Sequence, residues 1–217
     1  MKILHIGKMY HPDLGGIESV TRSLAEGAVQ KGHYCSVVCF TKKAPNSLET
    51  LAGVTVHRMF SRLTVASQPL SFSYFMRSAR LCREHDIVHL HAPNLFGMLI
   101  AIIFARKKLV LHWHSDILNK GTVGRLLKPL EYFCAIIARV IIATSSDYVA
   151  DSPVLKFFHK KVSVVPLGIN LNQFTTSHEI RPRKTILAVG RLVSYKGFDY
   201  LLKAFAQCGA DADLIIV

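Results

Sequence analysis

The sequence predicts an α/β fold built on a Rossmann-like, doubly wound parallel sheet. Short apolar runs rich in β-branched residues recur along the chain, and segments with helical spacing separate most of them. Polar side chains directly follow several of these runs, as they do at the carboxyl ends of strands in open sheets that bind ligands. Half of the 217 residues are hydrophobic, which is enough to bury a large core.

Seven strands are predicted in the first part of the chain, each a short and almost continuously apolar run. They comprise residues 3–7, 36–40, 54–59, 87–91, 109–113, 140–144 and 162–165. Between the first two, Val20, Leu24 and Ala28 recur at helical spacing, and Gly32 supplies a stop signal. The alternation of strand and helix therefore predicts parallel pairing.

A helix is predicted over residues 122–138. Its apolar face comprises Leu126, Leu127, Leu130, Phe133, Cys134 and Ile137. Pro129 should kink this helix or mark its beginning, and Arg125 and Lys128 lie near its start. A basic, apolar helix can lie on an anionic membrane surface, but amphipathic helices more commonly cover a core. We expect this helix to pack on the core.

The chain divides into a domain, a linker and the start of a second domain. Residues 1–172 contain the seven strands, residues 173–184 are largely polar, and residues 185–217 contain two strands and a helix. The two strands are residues 185–189 and 214–217, and the helix is residues 198–207. One βαβ unit cannot cover both faces of a sheet, so we expect an incomplete second Rossmann-like domain.

Charge and cysteine content restrict the partners and the compartment. Lys and Arg number 27 against 14 Asp and Glu, a formal net charge of +13 that favours anionic partners. The five cysteines form no C-x-x-C pair and lie mostly in apolar runs, and the first residues do not resemble an export signal. No apolar run approaches the roughly 20 residues of a membrane-spanning helix. We therefore expect a cytoplasmic protein.

The loop after the first strand is a candidate phosphate site. It runs from Tyr10 to Glu18, contains Gly15 and Gly16, and opens onto the first helix. Paired glycines let a ligand approach the backbone, and a helix N-terminus offers free N–H groups to a phosphate. A tight turn explains one glycine better than two, and the spacing differs from the G-x-G-x-x-G dinucleotide fingerprint.

Polar residues also follow the fourth and fifth predicted strands. His91 and Asn94 end one strand, and His114 and Asp116 end the next. If these strands are neighbours, the four side chains share one crevice, which favours a site over isolated structural histidines.

A metal site is the alternative interpretation of these histidines. His89 and His91, like His112 and His114, are two residues apart, so each pair lies on one face of its strand. No cysteine or carboxylate has matching ligand spacing, and we expect no metal. In the second unit, Arg191 and Lys196 flank a strand-to-helix turn where a diphosphate fits, although two solvated cations explain them equally well.

Together these segments resemble glycosyltransferase family 4, whose members have two Rossmann-like domains in the GT-B arrangement. They transfer a sugar from a nucleotide donor with retention of configuration. The resemblance covers essentially the whole chain and rests on segments that occur in the family's order. These are residues 12–18, 86–91, 114–116, 166–170 and 190–191 with 196–197.

The resemblance implies roles for individual residues. Those assigned to the donor diphosphate are Gly15, Gly16, Arg191 and Lys196. The catalytic candidates are His114, which would contact the transferred sugar, and Asp116 in the same segment. Candidates on the acceptor side are His11, Glu18, His91 and Asn94.

The resemblance also implies the substrates. The donor would be a GDP- or UDP-linked hexose such as mannose, and the acceptor a lipid-linked oligosaccharide of polysaccharide or O-antigen assembly at the inner face of the cytoplasmic membrane. We expect a peripheral membrane protein that needs neither metal nor cofactor. Residues 1–172 would be the acceptor-side domain. The family carries a pair of donor-binding glutamates beyond residue 217, so we expect the donor domain to be truncated.

Three rival functions remain open. A truncated remnant would bind acceptor or membrane without transferring sugar. A nucleic-acid binder is suggested by charge alone, without interleaved aromatic residues or a recognised fold, and we expect no nucleic-acid partner. A sugar-nucleotide epimerase of the same fold is disfavoured because the loop spacings fit the transferase pattern better.

Overall fold

The structure is a computed structural model that describes residues 1–65, 68–116, 121–169, 171, 184–190, 192–209 and 211–217. The side chains of residues 121–126 and 195 are outside this description. The chain forms two compact units, Met1–Gly168 and Ile169–Val217. Apart from Lys184, the predicted linker at 173–184 lies outside the described residues, and its boundaries stay a prediction.

The first unit contains ten described strands and five described α-helices. The strands are β1 (Lys2–Ile6), β2 (Tyr34–Thr41), β3 (Ser47–Leu51), β4 (Val54–Phe60), β5 (Leu63–Val65), β6 (Gln68–Leu70), β7 (Ile87–Ala92), β8 (Leu109–Trp113), β9 (Val140–Ala143) and β10 (Val162–Val164). The helices are α1 (Gly16–Gln30), α2 (Phe72–Glu84), α3 (Leu95–Phe104), α4 (Gly121–Ile137) and α5 (Ser146–Asp151). All seven predicted strands are confirmed.

Eight of these strands form one sheet in the order β10-β9-β8-β7-β1-β2-β4-β3. Every pair in it is parallel except β3 with β4, which is antiparallel at the edge. The predicted parallel α/β sheet is therefore confirmed, with one antiparallel edge strand. β5 and β6 form a separate antiparallel hairpin.

The two faces of the sheet carry different cores. On one face, Leu4, Val38 and Leu90 pack with residues of the helices α2, α3 and α4. On the other, Val37 and Val56 pack with Ala25 of α1. Alternate residues of a strand point to opposite faces, which is why neighbours such as Val37 and Val38 belong to different cores.

The structure confirms one predicted helix end and departs from expectation in α4. Gly32 has φ +78°, and its N–H donates to the Val29 carbonyl at 2.8 Å, which confirms the predicted stop of α1. Pro129 lies inside α4 and does not mark its beginning. Cys134 is buried, but Phe133 is 59 % exposed, so the predicted apolar face is wrong at Phe133.

The second unit is a βαβ element. It comprises β11 (Lys184–Ala188), α6 (Phe198–Gln207) and β12 (Ala212–Ile216). β11 and β12 pair in parallel, as predicted. Gly197 has φ +66° and is the residue from which α6 starts. Across the described residues of both units, no helix has the length and apolar character needed to span a bilayer.

Candidate active site

Five histidines lie side by side on three adjacent strands at the centre of the sheet. They are His5 of β1, His89 and His91 of β7, and His112 and His114 at the end of β8. In register, His5 lies opposite His89, and His91 lies opposite His112. The N–H of His114 donates to the Ala92 carbonyl at 3.1 Å, so its backbone continues alongside β7 beyond the end of β8.

The rings are joined by hydrogen bonds. His91 Nε2 lies 3.0 Å from His5 Nδ1, and His91 Nδ1 lies 3.1 Å from His114 Nε2. A separate bond of 3.3 Å joins His89 Nε2 to His112 Nδ1. The remaining nitrogen of His112, Nε2, is buried and has no hydrogen-bond partner within the described part of the chain. His91 therefore links the interior histidine His5 to the partly exposed His114.

Burial keeps these imidazoles neutral. Desolvation, with a smaller contribution from His112, lowers the pKa of His5 to about 3 and that of His114 to about 4. Desolvation alone lowers the pKa of His112 to about 4. Desolvation and the neighbouring rings hold the pKa of His89 and His91 well below the usual value. At neutral pH, His114 is therefore a neutral hydrogen-bonding group.

Two trios of imidazole nitrogens are close enough together to be considered as metal ligands. One trio is His5, His89 and His91, and the other is His91, His112 and His114, with ligand atoms all within 4.8 Å of one another in each. Neutral imidazole is a suitable ligand for zinc and similar ions. The expected absence of a metal stays a prediction.

Asp116, the second catalytic candidate, is engaged inside the protein. Its Oδ2 accepts a hydrogen bond from the Tyr148 hydroxyl at 2.6 Å, and its Oδ1 accepts one from the Ser152 hydroxyl at 2.8 Å. Its backbone N–H donates to the Tyr148 hydroxyl oxygen at 2.6 Å. Burial and the adjacent carboxylate raise the pKa of Tyr148. Asp116 therefore ties the loop after β8 to α5.

Asn94, an acceptor-side candidate, is the N-cap of α3 and is fully buried. Its Oδ1 accepts a hydrogen bond from the Gly97 N–H at 3.1 Å, and its Nδ2 donates to the Tyr74 hydroxyl oxygen at 3.3 Å. The Tyr74 hydroxyl donates in turn to the Gly7 carbonyl at 2.9 Å. Asn94 thus connects α3 to α2 and to the end of β1, and it exposes no surface to a ligand.

The glycine loop and the first turn of α1 bring four more predicted residues, His11, Gly15, Gly16 and Glu18, to the carboxyl edge of β1. Gly15 is the N-cap of α1 and provides no side-chain cap, so the first N–H groups of the helix lack a side-chain partner there. A Cβ on Gly15 would lie 2.1 Å from Glu18 Oε2, whereas Gly16 faces open space. His11 is partly exposed, and its Nδ1 lies 3.2 Å from Arg22 Nη1.

A buried arginine holds this loop in place. Arg58 of β4 forms an ion pair with Glu49 of β3 and donates hydrogen bonds to the carbonyls of Tyr10 and His11. The first part of the loop, at Tyr10 and His11, is thus held by hydrogen bonds, and the loop ends at the N-terminus of α1.

The predicted donor cations lie in the second unit. Lys196 is exposed in the turn Ser194–Lys196 that precedes α6. Arg191 lies outside the described residues. Among the predicted residues of the first unit, His91 and His114 are in contact, and the glycine loop lies at the same edge of the sheet.

Sequence reasoning missed His5, Tyr148 and Ser152. His5 becomes a neighbour of His91 only once β1 and β7 are known to be adjacent, and their sequence separation of 86 residues hides this. The signal that the sequence offered was a histidine within the first predicted strand, in addition to those of the fourth and fifth. Tyr148 and Ser152 carry no motif that links them to Asp116.

A family model described as Glycosyltransferase Family 4 matches residues 14–173. The chain is 31 % identical over 218 residues to O-antigen chain mannosyltransferase C of Escherichia coli, a match that covers 94 % of this chain and 57 % of that protein. It is 30 % identical over 229 residues to D-rhamnosyltransferase WbpZ of Pseudomonas aeruginosa, covering 100 % and 59 % respectively.

Solved structures share the fold. The crystal structure of Anabaena HepE in complex with UDP and glucose superimposes with a TM-score of 0.73 at 18 % identity, covering 100 % of this chain and 60 % of that one. The chain thus spans less than two thirds of the length of these relatives.

Proposed function

This chain belongs to glycosyltransferase family 4, and we propose that it is the acceptor-side part of a retaining, nucleotide-sugar-dependent glycosyltransferase of polysaccharide or O-antigen biosynthesis. The donor is a GDP- or UDP-linked hexose, with mannose the first choice because one relative is named an O-antigen mannosyltransferase. The acceptor is a lipid-linked oligosaccharide at the inner face of the cytoplasmic membrane. No metal takes part.

The observation that carries this proposal is His114 at the carboxyl end of β8. Its ring is partly exposed and neutral, and its Nδ1 has no hydrogen-bond partner among the described residues. A neutral imidazole held in place by His91 is suited to bond a sugar hydroxyl. The uncapped N-terminus of α1 lies at the same edge of the sheet and is suited to the donor diphosphate.

The other predicted residues take supporting roles. Gly15 and Gly16 let a diphosphate approach the α1 backbone. In the second unit, Arg191 and Lys196 are the cations suited to neutralise a diphosphate. Asp116 fixes the loop that carries His114, through its bonds to Tyr148 and Ser152, rather than touching substrate.

Titration calorimetry of the purified chain with GDP, UDP and their hexose derivatives tests the donor site, and transfer of radiolabelled sugar to bacterial membranes tests the reaction. We expect binding of one nucleotide sugar and a loss of at least tenfold in affinity or transfer for His114→Ala. His159→Ala, which changes an exposed histidine at the far edge of the sheet, is the matched control. Equal binding and transfer by both variants would remove His114 from the site.

The outcome also separates the rival function. A folded chain that binds no nucleotide and transfers no sugar, yet binds membranes, would be an acceptor- or membrane-binding domain without transferase activity.

Membrane association is supported by the outer surface of α3 and α4. Four apolar side chains there are between 41 and 59 % exposed: Leu99, Ile103, Phe133 and Ile136. Beside them, a surface recess of about 470 Å³ is lined by Ile137 and three cations, Arg106, Lys107 and Arg139. Apolar side chains next to clustered cations match the acyl and phosphate layers of an anionic bilayer.

Vesicle sedimentation tests this surface. The chain should bind vesicles containing phosphatidylglycerol, bind phosphatidylcholine vesicles weakly, and dissociate as salt rises. Exchange of both Ile103 and Phe133 for Ser should abolish the binding. Leu48→Ser, at a somewhat more exposed apolar position on β3, should not. Binding that survives the double exchange would place the membrane contact elsewhere.

A further inference from the structure

His5, His91 and His114 form an unbroken row of three hydrogen-bonded rings across β1, β7 and β8. The row begins at a fully buried ring and ends at a partly exposed one. All three rings belong to one face of the sheet, the face on which α1 packs. His91 is the central member and uses both of its nitrogens within the row.

The number of protons on the three rings limits the combinations of tautomers that the row can adopt. A neutral imidazole has one N–H donor and one lone-pair acceptor, and each hydrogen bond needs one of each. If His91 donates from Nδ1 to His114, its Nε2 must accept from His5 Nδ1. All three rings then carry their proton on Nδ1. If the direction reverses, all three carry it on Nε2.

We propose that His5 and His91 are positioning residues that set the tautomer of His114, so that the three rings adopt the Nδ1–H or the Nε2–H form only together. In the first form Nδ1 of His114, which has no hydrogen-bond partner within the described part of the chain, donates to a ligand, and in the second it accepts from one. The tautomer of the row therefore determines whether His114 donates a hydrogen bond to a ligand hydroxyl or accepts one from it. The meaning for catalysis rests on the proposed function, but the coupling of the tautomers does not.

The geometry favours a hydrogen-bonded row over a metal centre. Metal ligation requires the lone pairs of three rings to converge on one ion, each within its own ring plane. The rings of His112 and His114 are stacked, with centroids 4.1 Å apart and planes 18° apart, so their lone pairs lie in nearly parallel planes. The nitrogens joining His91 to its two partners face each other at 3.0 and 3.1 Å, as in N–H···N bonds.

Long-range proton–nitrogen NMR spectra of the ¹⁵N-labelled chain at neutral pH identify the protonated nitrogen of each imidazole. We expect His5, His91 and His114 to show the same tautomer. His91→Phe keeps a ring stacked on His89 but removes both hydrogen bonds of the row. The two tautomers of His114 should then interconvert, and its two ring nitrogens should show averaged chemical shifts. His89→Phe is the matched control, because His89 lies two residues earlier on the same strand face and outside the row. It should leave His114 unchanged.

Three results would overturn the proposal. They are mixed tautomers among the three rings of the parent chain, an unchanged His114 in His91→Phe, and a one-to-one shift of these signals on addition of Zn²⁺. If His91→Phe does not fold, His5→Phe cuts the row at its other end, and the parent spectrum still decides the coupling. A nucleotide sugar that shifts no signal of a tautomer-coupled row would count against the proposed function and leave this inference standing.

Discussion

Two residues apart in sequence, His114 and Asp116 have different tasks at the end of β8. Nδ1 of the partly exposed His114 has no hydrogen-bond partner among the residues that the structure describes, whereas both carboxylate oxygens of Asp116 accept hydrogen bonds from α5 and the residue that follows it. A buried carboxylate with two hydroxyl donors stabilises the fold at the site without being available to a ligand. The sequence pairs the two residues in one motif, and only their partners separate them.

Asp116→Asn should therefore act on stability. The amide places an N–H₂ group against the hydroxyl of Tyr148 or Ser152, and we expect the free energy of unfolding to fall by about 1–3 kcal/mol. Urea unfolding followed by circular dichroism measures this change. Asp151→Asn, at an exposed position in α5, should stay within about 0.5 kcal/mol of the parent. Equal stability of both variants would mean that Asp116 is free for another role.

At the scale of the element, continuous apolar runs predicted the parallel strands, whereas the strands without such a run, β3, β5 and β6, were missed. β7 and β8 are buried along most of their length and were found, whereas β3 is largely exposed and pairs antiparallel at the sheet edge. Its sequence, Ser-Leu-Glu-Thr-Leu, has no apolar run to detect. The error at Phe133 has a related cause, because helical spacing defines an apolar face but does not say how much of it the sheet covers.

The N-cap of α3 offers a test at this scale. Asn94→Ala removes the cap and also leaves the buried Tyr74 hydroxyl without one of its partners, so we expect a loss of about 2 kcal/mol in unfolding free energy. Ser145→Ala removes the exposed cap of α5, where Ser145 Oγ accepts from the Tyr148 N–H, and should cost about 1 kcal/mol or less. Chemical denaturation of both variants compares them. A smaller loss for Asn94→Ala would show that its buried contacts add nothing to capping.

At the scale of the whole molecule, the two faces of the central sheet carry different kinds of side chain. The face under α2, α3 and α4 is mainly aliphatic and aromatic, with Ser36 and His57 as buried polar exceptions, whereas the α1 face carries imidazole on β1, β7 and β8. Strand-end polarity predicted His91 and His114 from sequence. The extent of the cluster, from His5 to His112, required the strand order, which local sequence does not encode.

The five neutral histidines of the cluster, together with His57 of β4, make the fold sensitive to acid. The unfolded chain takes up protons below the ordinary histidine pKa of 6.5, while the folded pKa of His5 is about 3 and that of His112 about 4. Between pH 6.5 and 4 the unfolded state therefore binds more protons, and stability falls as pH falls. At pH 6.5 half of these rings are protonated in the unfolded chain, and only above about pH 7.5 are both states neutral there and this contribution to stability constant.

Urea unfolding at pH 8.5, 7.5 and 5.5 should consequently give similar stabilities at the first two values and a marked loss at the third. Each buried histidine contributes roughly 1.4 kcal/mol per pH unit below its unfolded pKa. His89→Phe removes one such proton site and should reduce the slope by about that amount. His159→Ala changes an exposed histidine and should reproduce the parent slope. If the free energy of unfolding does not change from pH 7.5 to 5.5, the five clustered histidines are already protonated, or accessible to water, in the folded chain.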